Sequence, residues 1–388
     1  MTGADAVRAF RRGPTEPIPL TVLTGFLGAG KTTLLNRLLK DPALADTAVI
    51  INEFGEVSLD HLLVEHIGDN MVLLKSGCLC CTMRGDLVDA LERLLRDLDN
   101  ARVSFKRVLL ETTGLADPAP VLHTMMAHPY LLLRYRLNGV VTVVDAVNGE
   151  ATLDAHEEAV KQAAVADRIV LSKTDLATPE QRDRILSRLH ALNPAAPVLD
   201  AAKGEATAER LLNCGLYDPA RKIPDVKKWL AEEAYADAHA HHGHEHDHGH
   251  GHGHANLDRN RDDAHIASFV LTSEAAIPAG TLQMFLELLR ANYGAQLLRV
   301  KGIVKLAEMP DTPVVVHGVQ HVFHPPARLD RWPDDDHRSR IVFITRDLPE
   351  RTVRELFEAF LGKPAADRPD LAALTDNPLV PFGGPDHA

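Results

Sequence analysis

No apolar run in the chain approaches the ~20 residues that a membrane-spanning helix needs, so no transmembrane helix is expected. The opening segment MTGADAVRAFRRGP lacks the apolar core of a secretory leader, and none is expected. Cysteine is scarce. There are four, three of them packed into Cys78-Leu79-Cys80-Cys81, which does not read as a disulfide framework. A reducing cytoplasm is the expected home. Basic residues are outnumbered, 42 against 54 acidic ones, for a formal charge of −12. Such a chain repels nucleic acid and anionic membrane in general, and neither is an expected partner. With 45% apolar and 25% charged residues, disordered and collagen-like proteins are excluded.

What is present is first of all length. A chain of 388 residues exceeds one ordinary core and predicts two or three domains. Residues 1–17 read as a basic tail. Residues 18–216 alternate short apolar runs with helical periodicity. Candidate strands are 19–23, 48–51, 71–74, 107–111, 139–145, 168–172 and 197–200, rich in Val, Ile and Leu and barely alternating. That pattern suits strands buried on both faces of a parallel sheet covered by helices. The clearest helix is 86–98, with Leu87, Leu91, Leu94, Leu95 and Leu98 on one stripe. Histidine is the outlier, at 21 residues, nine of them between 239 and 254. That tract, His244, His246 and His248 included, mixes with Gly, Asp and Glu and cannot bury apolar surface. Residues 217–264 therefore read as a flexible linker. A smaller α+β domain follows at 265–365, with strands 266–272, 297–306, 313–324 and 340–345 and helices near 279–291 and 349–361. Residues 366–388 read as a Pro- and Asp-rich tail.

Gly25-Phe26-Leu27-Gly28-Ala29-Gly30-Lys31-Thr32 fits GxxxxGK[ST] between a predicted strand and a predicted helix. The fold class is thus α/β, a P-loop NTPase with a mainly parallel sheet, plus the α+β C-terminal domain. Gly25, Gly28, Ala29, Gly30, Lys31, Thr32 and Thr33 form the expected phosphate cradle. Its inward N–H groups and helix N-terminus face phosphate oxygens. Lys31 would neutralise the β- and γ-phosphates, and the Thr32 hydroxyl would bind Mg²⁺. Glu111-Thr112-Thr113-Gly114 closes the strand 107–111. Glu111 would hold Mg²⁺ and Gly114 would offer its N–H to the γ-phosphate. Ser172-Lys173-Thr174-Asp175 ends another buried strand, where a guanine-reading [NT]KxD loop would sit. The Asp175 carboxylate can accept from both guanine N1–H and the exocyclic amine, a donor pair adenine lacks. Ser in the first position departs from that pattern, and a helix cap ahead of Pro179 is the alternative.

Three thiols within four residues suit Zn²⁺. From an extended segment Cys78 and Cys80 share a side while Cys81 faces elsewhere, so one further ligand is needed, and Glu56 of INEFGEV is the candidate. Buried inert thiols or a redox pair are the alternatives. The imidazoles of 239–254 would collect or buffer metal with little selectivity. His317 and His321 are expected on one strand face as polar surface or interface residues.

Taken in order, GFLGAGKT, NEFGEV, GCLCC, ETTG and SKTD resemble the CobW family of P-loop GTPases, over about residues 18–362. The His-rich linker and the segments HGVQHVFH and RIVFIT resemble its C-terminal half. The resemblance implies slow GTP hydrolysis to GDP and phosphate, Mg²⁺, transition-metal binding at the CxCC motif, and action as a metallochaperone or insertase. It implies Zn²⁺ first, with Co²⁺ or iron as alternatives, and a client metalloprotein as partner. Ile51 stands where some relatives carry an acid, which removes a ligand from any second metal site. Asp60 is a candidate for orienting water or Mg²⁺. Self-association is left open. The rival readings are a zinc buffer or sensor with nucleotide as a structural ligand, and a P-loop kinase of a small metabolite, for which neither ATP preference nor a lid is evident.

Overall fold

The computed structural model describes residues 17–52, 73–76, 79–212 and 265–362. The His-rich tract lies outside them.

The first domain is built on seven parallel strands in the order β3-β2-β4-β1-β5-β6-β7. They are β1 (Ile18–Gly25), β2 (Thr47–Asn52), β3 (Leu73–Ser76), β4 (Arg107–Glu111), β5 (Tyr135–Asp145), β6 (Arg168–Ser172) and β7 (Val198–Asp200). Because side chains alternate along a strand, Val108 and Leu110 of β4 face one side and Leu109 the other. The first side packs on α2 (Leu79–Asp99) through Leu87, Leu91, Leu94 and Leu95, and on α3 (Ala119–Ala127). The second side packs on α1 (Lys31–Leu39) through Leu34, Leu35, Leu38 and Leu39. Further along the sheet, α4 (Pro129–Arg134), α5 (Gly149–Ala155), α6 (Glu157–Ala164), α7 (Pro179–Leu192) and α8 (Ala208–Leu212) complete the cover.

Strand order decides where the chemistry lies. In a parallel sheet all carboxyl ends fall at one edge, and ligands gather there. β4 and β1 are direct neighbours, in register from Leu20 with Val108 to Leu23 with Glu111. The loops after β1, β4 and β6 therefore open on the same edge. So do the ends of β2 and β3, which lead towards NEFGEV and the cysteines.

The second domain is an antiparallel sheet in the order β11-β10-β9-β13-β8, with β12 beside β10. Its elements are β8 (Ile266–Ser273), α9 (Ala279–Tyr293), β9 (Leu297–Leu306), β10 (Met309–Val319), β11 (Val322–Phe323), β12 (Ala327–Arg328), β13 (Ser339–Arg346) and α10 (Glu350–Phe360). One face carries Phe269, Val300 and Phe343 against Phe285 of α9 and Phe357 of α10. The opposite face, with Ile303, Val342 and Ile344, packs on Ala164 of α6 in the first domain.

The expected strands largely recur, with three differences. Helix α2 begins at Leu79, well before residue 86, so Cys80 and Cys81 lie in its first turn and the alternation expected of an extended segment does not apply to them. The long strand expected at 313–324 breaks at Gln320, whose φ is 50°. The chain turns back there, so that Gly318 pairs with Phe323, and a Cβ at Gly318 would lie 2.7 Å from that ring. His321 consequently sits in the turn, while His317 is buried in β10, and the two do not share a strand face.

The two domains meet on a buried carboxylate. Asp167, between α6 and β6, accepts on Oδ1 from Arg299 Nη2 at 2.5 Å and Lys301 Nζ at 2.6 Å, both on β9. Its Oδ2 accepts from the Val140 N–H at 2.9 Å. Burial alone would raise this carboxyl, but the two cations outweigh it and hold it well below the usual carboxylate range. Burial and the neighbouring Arg299 push Lys301 down to about 8, against the pull of Asp167. Two cations thus answer one anion, and removing the anion is not equivalent to removing a cation. Removing the anion takes from both buried cations the carboxylate they share; removing Lys301 leaves a matched pair. Asp167→Asn is expected to lower unfolding free energy by about 3 kcal/mol or more, and Lys301→Met by well under half of that. The Asp167 contribution is present above its unfolded value near pH ~4 and is lost as the pH falls below it. Urea unfolding of both variants at pH 7 and at acid pH checks this; equal losses would show that the carboxylate is not the keystone of the contact.

Candidate functional site

The nucleotide loop is shaped by backbone contacts. Gly25, at the end of β1, has φ 143°, and a Cβ there would lie 2.4 Å from the Val143 carbonyl oxygen. Gly28 and Gly30 have φ 74° and 96°, in the left-handed region that glycine enters without strain. The Ala29 N–H closes a turn on the Phe26 carbonyl at 3.1 Å. Helix α1 starts at Lys31, and no side chain caps its N-terminal N–H groups. Such an end attracts anions, because unsatisfied donors and the helix dipole point the same way. Lys31 is buried beneath the loop, with Nζ donating to the Phe26 carbonyl at 3.2 Å.

Beside this loop the Thr32 hydroxyl donates to Glu111 Oε1 at 3.3 Å. The strand register that aligns β1 with β4 therefore brings together the two oxygen ligands expected of a Mg²⁺ site, and a hydroxyl paired with a carboxylate is a donor set suited to a hard cation. Thr112 fastens the end of β4 to β1, its Oγ1 donating to Thr24 Oγ1 at 2.8 Å and its N–H to the Leu23 carbonyl at 2.9 Å. Gly114 lies directly on the nucleotide loop, where a Cβ would come within 2.7 Å of both Leu27 Cα and N. Its carbonyl and that of Ala116 accept from Gln162 Nε2 at 3.2 and 3.0 Å.

The loop after β6 is tied to the same scaffold. The Ser172 hydroxyl donates to the Ala29 carbonyl at 2.6 Å, so the first residue of SKTD is a strut for the phosphate loop. Lys173 has φ 55°, and its Nζ pairs with Asp145 Oδ2 at 2.7 Å. Burial pushes the Asp145 carboxyl up, but Lys173, the Asn148 amide and the N–H groups of Val147 and Asn148 outweigh that and hold it below its ordinary value. Thr174 donates to Asp200 Oδ1 at 2.5 Å, joining this loop to the one after β7. Asp175 stands exposed at the sheet edge. The helix that follows is capped by Thr178, in a capping box with Gln181 and with Pro179 in its first turn. Ser172, Thr174 and Asp175 are therefore not its cap, and the alternative reading of SKTD loses its basis. A cavity of about 260 Å³ runs between the nucleotide loop and Lys173, with Phe26, Asp145, Asn148 and Gln162 among its walls.

The structure thus brings together Gly25, Gly28, Ala29, Gly30, Lys31, Thr32, Glu111, Gly114, Ser172 and Lys173, with Asp175 at the rim. Thr33 is exposed on the first turn of α1. Cys80 and Cys81 are placed only as far as the first turn of α2. Cys78, Glu56, Asp60, His244, His246 and His248 lie outside the described residues. Among the described residues no group of three or more His, Cys, Asp or Glu side chains could hold a metal ion. No sequence motif singles out Asp145 or Gln162. For Asp145 the available signal was an acid at the carboxyl end of a buried strand. Gln162 gives no local signal, since its partners are 46 and 48 residues away.

Comparison with known proteins agrees with this geometry. Residues 19–200 match the CobW/HypB/UreG nucleotide-binding domain, and residues 266–361 match the cobalamin synthesis protein cobW C-terminal domain. The chain is 34% identical over 343 residues to the zinc chaperone YjiA of Escherichia coli, covering 88% of this chain and 98% of that protein. The structure of Zn(II)-bound YjiA GTPase from E. coli superposes with a TM-score of 0.62 at 30% identity, covering 89% of this chain and 99% of that one. The zinc-regulated GTPase metalloprotein activator 1 of Schizosaccharomyces pombe is 34% identical over 196 residues, 49% of this chain and 47% of that protein. No helix among the described residues is long and apolar enough to cross a membrane. With both of its domains matched and a relative aligned almost end to end, the chain belongs to the CobW family of P-loop nucleotide-binding proteins.

Proposed function

We propose that this protein is a GTP-hydrolysing zinc metallochaperone: it binds Zn²⁺ through Cys78, Cys80, Cys81 and Glu56 and passes the ion to a client protein as GTP is hydrolysed to GDP and phosphate. The observation that carries the reading is the convergence of Thr32 with Glu111, and of Gly114 with Leu27, at the sheet edge towards which the strands before NEFGEV and the cysteines also run. The names of the relatives, zinc chaperone and zinc-regulated GTPase, support the same reading.

The residues divide the work as follows. N–H groups of the loop 25–30 and of the first turn of α1 surround the phosphates, and Lys31 exchanges its bond to the Phe26 carbonyl for phosphate oxygens. Thr32 and Glu111 would hold Mg²⁺, which when bound neutralises charge on the β- and γ-phosphate oxygens. Lys173 lies along one face of the base, steadied by Asp145, and Asp175 reads the guanine edge. Gly114 presents its N–H to the γ-phosphate. The strands that lead towards Glu56 and Cys78, β2 and β3, lie next in sheet order, so an ion held by those residues would feel which nucleotide is bound. Asp60 is assigned to orienting water. The tract with His244, His246 and His248 gathers ions for the cysteine site.

Two results are expected. Asp175→Asn should lose most of its preference for GTP over ATP, on the order of 10²-fold or more, because the amide cannot accept from two base donors. Competition binding with the two nucleotides measures this, and an unchanged ratio would remove the residue from base recognition. Cys80→Ala in a chain lacking the His-rich tract should lose stoichiometric Zn²⁺ binding and still bind GDP. Equal zinc affinity with and without the thiol would end the cysteine assignment. GTP turnover measured with and without Zn²⁺ then separates a chaperone from a buffer that merely contains nucleotide.

A further inference from the structure

Helix α6 is short, eight residues and about 12 Å, yet it touches both the loop after β4 and the C-terminal sheet. On its inner side Gln162 is fully buried. The two hydrogens of its amide go to two carbonyls of one loop, Gly114 at 3.2 Å and Ala116 at 3.0 Å, and so fix the curvature of that segment. The backbone at Gln162 is itself anchored, its carbonyl accepting from the Thr142 hydroxyl of β5 at 2.7 Å. On the outer side Lys161 Nζ lies 3.5 Å from Asp117 Oδ2 of the same loop and 2.6 Å from Glu157 Oε1. Glu157 also pairs with the Arg346 guanidinium at the end of β13. The Lys161 hydrogen bond, with Arg346 beside it, holds the Glu157 carboxyl below its ordinary value despite partial burial. Four charges thus alternate in sign from loop to C-terminal sheet. At its far end α6 inserts Ala164 among Leu298, Ile303, Val342 and Ile344 of that sheet.

These contacts leave the loop little freedom of its own. Gly114 lies against Leu27, and its carbonyl is held by α6. A change in what the nucleotide loop carries must therefore either break the Gln162 bonds or move α6, and α6 cannot shift without disturbing β13. We propose that α6 is the strut joining the nucleotide-facing loop to the C-terminal domain, with Gln162 as the positioning residue for Gly114–Ala116 and the ion chain Asp117–Lys161–Glu157–Arg346 carrying that position to β13. The inference deepens the GTPase reading and rests on it.

The test uses the full chain, with Gln162→Met, which keeps the volume and loses the donors, and Arg346→Met, which removes the remote end of the ion chain. Turnover, GDP affinity and amide hydrogen exchange of residues 339–346 with GDP or a non-hydrolysable GTP analogue are measured. Gln162→Met is expected to lower kcat about tenfold or more, and Arg346→Met, remote from the nucleotide loop, to lower kcat while GDP affinity stays within about twofold, a split that general loosening would not give. Exchange in β13 should differ between the two nucleotides in the parent chain and cease to differ in both variants. The double variant should lose less turnover than the product of the single losses, since both act through one helix. Exchange in β13 that ignores the nucleotide in the parent chain, or losses that multiply, would overturn the strut. Should Gln162→Met fail to fold, Lys161→Met on the outer flank takes its place under the same criteria. A parent chain with nucleotide-dependent exchange but no turnover would end the hydrolysis reading and leave the strut standing.

Discussion

Two places where backbone touches backbone, with no room for a side chain, govern the rest of this structure. Gly25 seats the start of the nucleotide loop on β5 at Val143, and Gly114 seats the loop after β4 on Leu27. Neither contact has much energy of its own. Their effect is geometric: they bring the phosphate loop, the strand that ends in Glu111 and the strand that ends in Ser172 to fixed separations, so that Thr32 meets Glu111 and Ser172 meets Ala29. A methyl group at either glycine would force the loops apart by an amount comparable with the hydrogen bonds that depend on them.

The fold was legible where local chemistry and burial agree. The strands 107–111, 168–172 and 297–306 coincide residue for residue with the apolar runs, because each is bounded by charge or a turn former and buried along its length. Boundaries failed where a distant contact overrides the local pattern. The run 313–324 is apolar enough to continue, but Gly318 gives space to the Phe323 ring and the chain doubles back. Helix α2 extends to Leu79 although its leading residues show no amphipathic stripe.

The same distinction separates the parts of the site that could be read from those that could not. A phosphate loop is a constraint on backbone conformation, and glycine spacing writes such constraints directly into sequence. The positions of Lys31, Thr32, Glu111 and Gly114 around that loop were therefore legible, as was the place of SKTD at the end of a buried strand beside it. What Ser172 does was not: its bond to the Ala29 carbonyl spans 143 residues. Gln162 and Asp167 belong to the same class. Each is a polar residue in a buried setting whose side-chain partners are remote in sequence, and nothing within a turn of either distinguishes it from an ordinary surface residue.

Asp167 also shows why the domain contact has the character it does. The face of the C-terminal sheet that meets the first domain is apolar around Ile303, Val342 and Ile344, and apolar packing alone accepts many sliding arrangements. A buried carboxylate that must meet Arg299 and Lys301 accepts one, because every other position leaves charge unanswered in a poor solvent for ions. His317, beside this group on β10, is kept neutral first by burial and then by the Arg299 charge, so it adds no further cation. On the proposed reading this registration matters to function. Differential affinity is all that nucleotide and zinc can exchange, and each can alter the other's binding only through an arrangement both prefer. An interface free to slide would dissipate that preference among many positions, whereas one fixed by charge passes any response from the loops at the sheet edge, through the short helix that braces them, to the sheet it abuts.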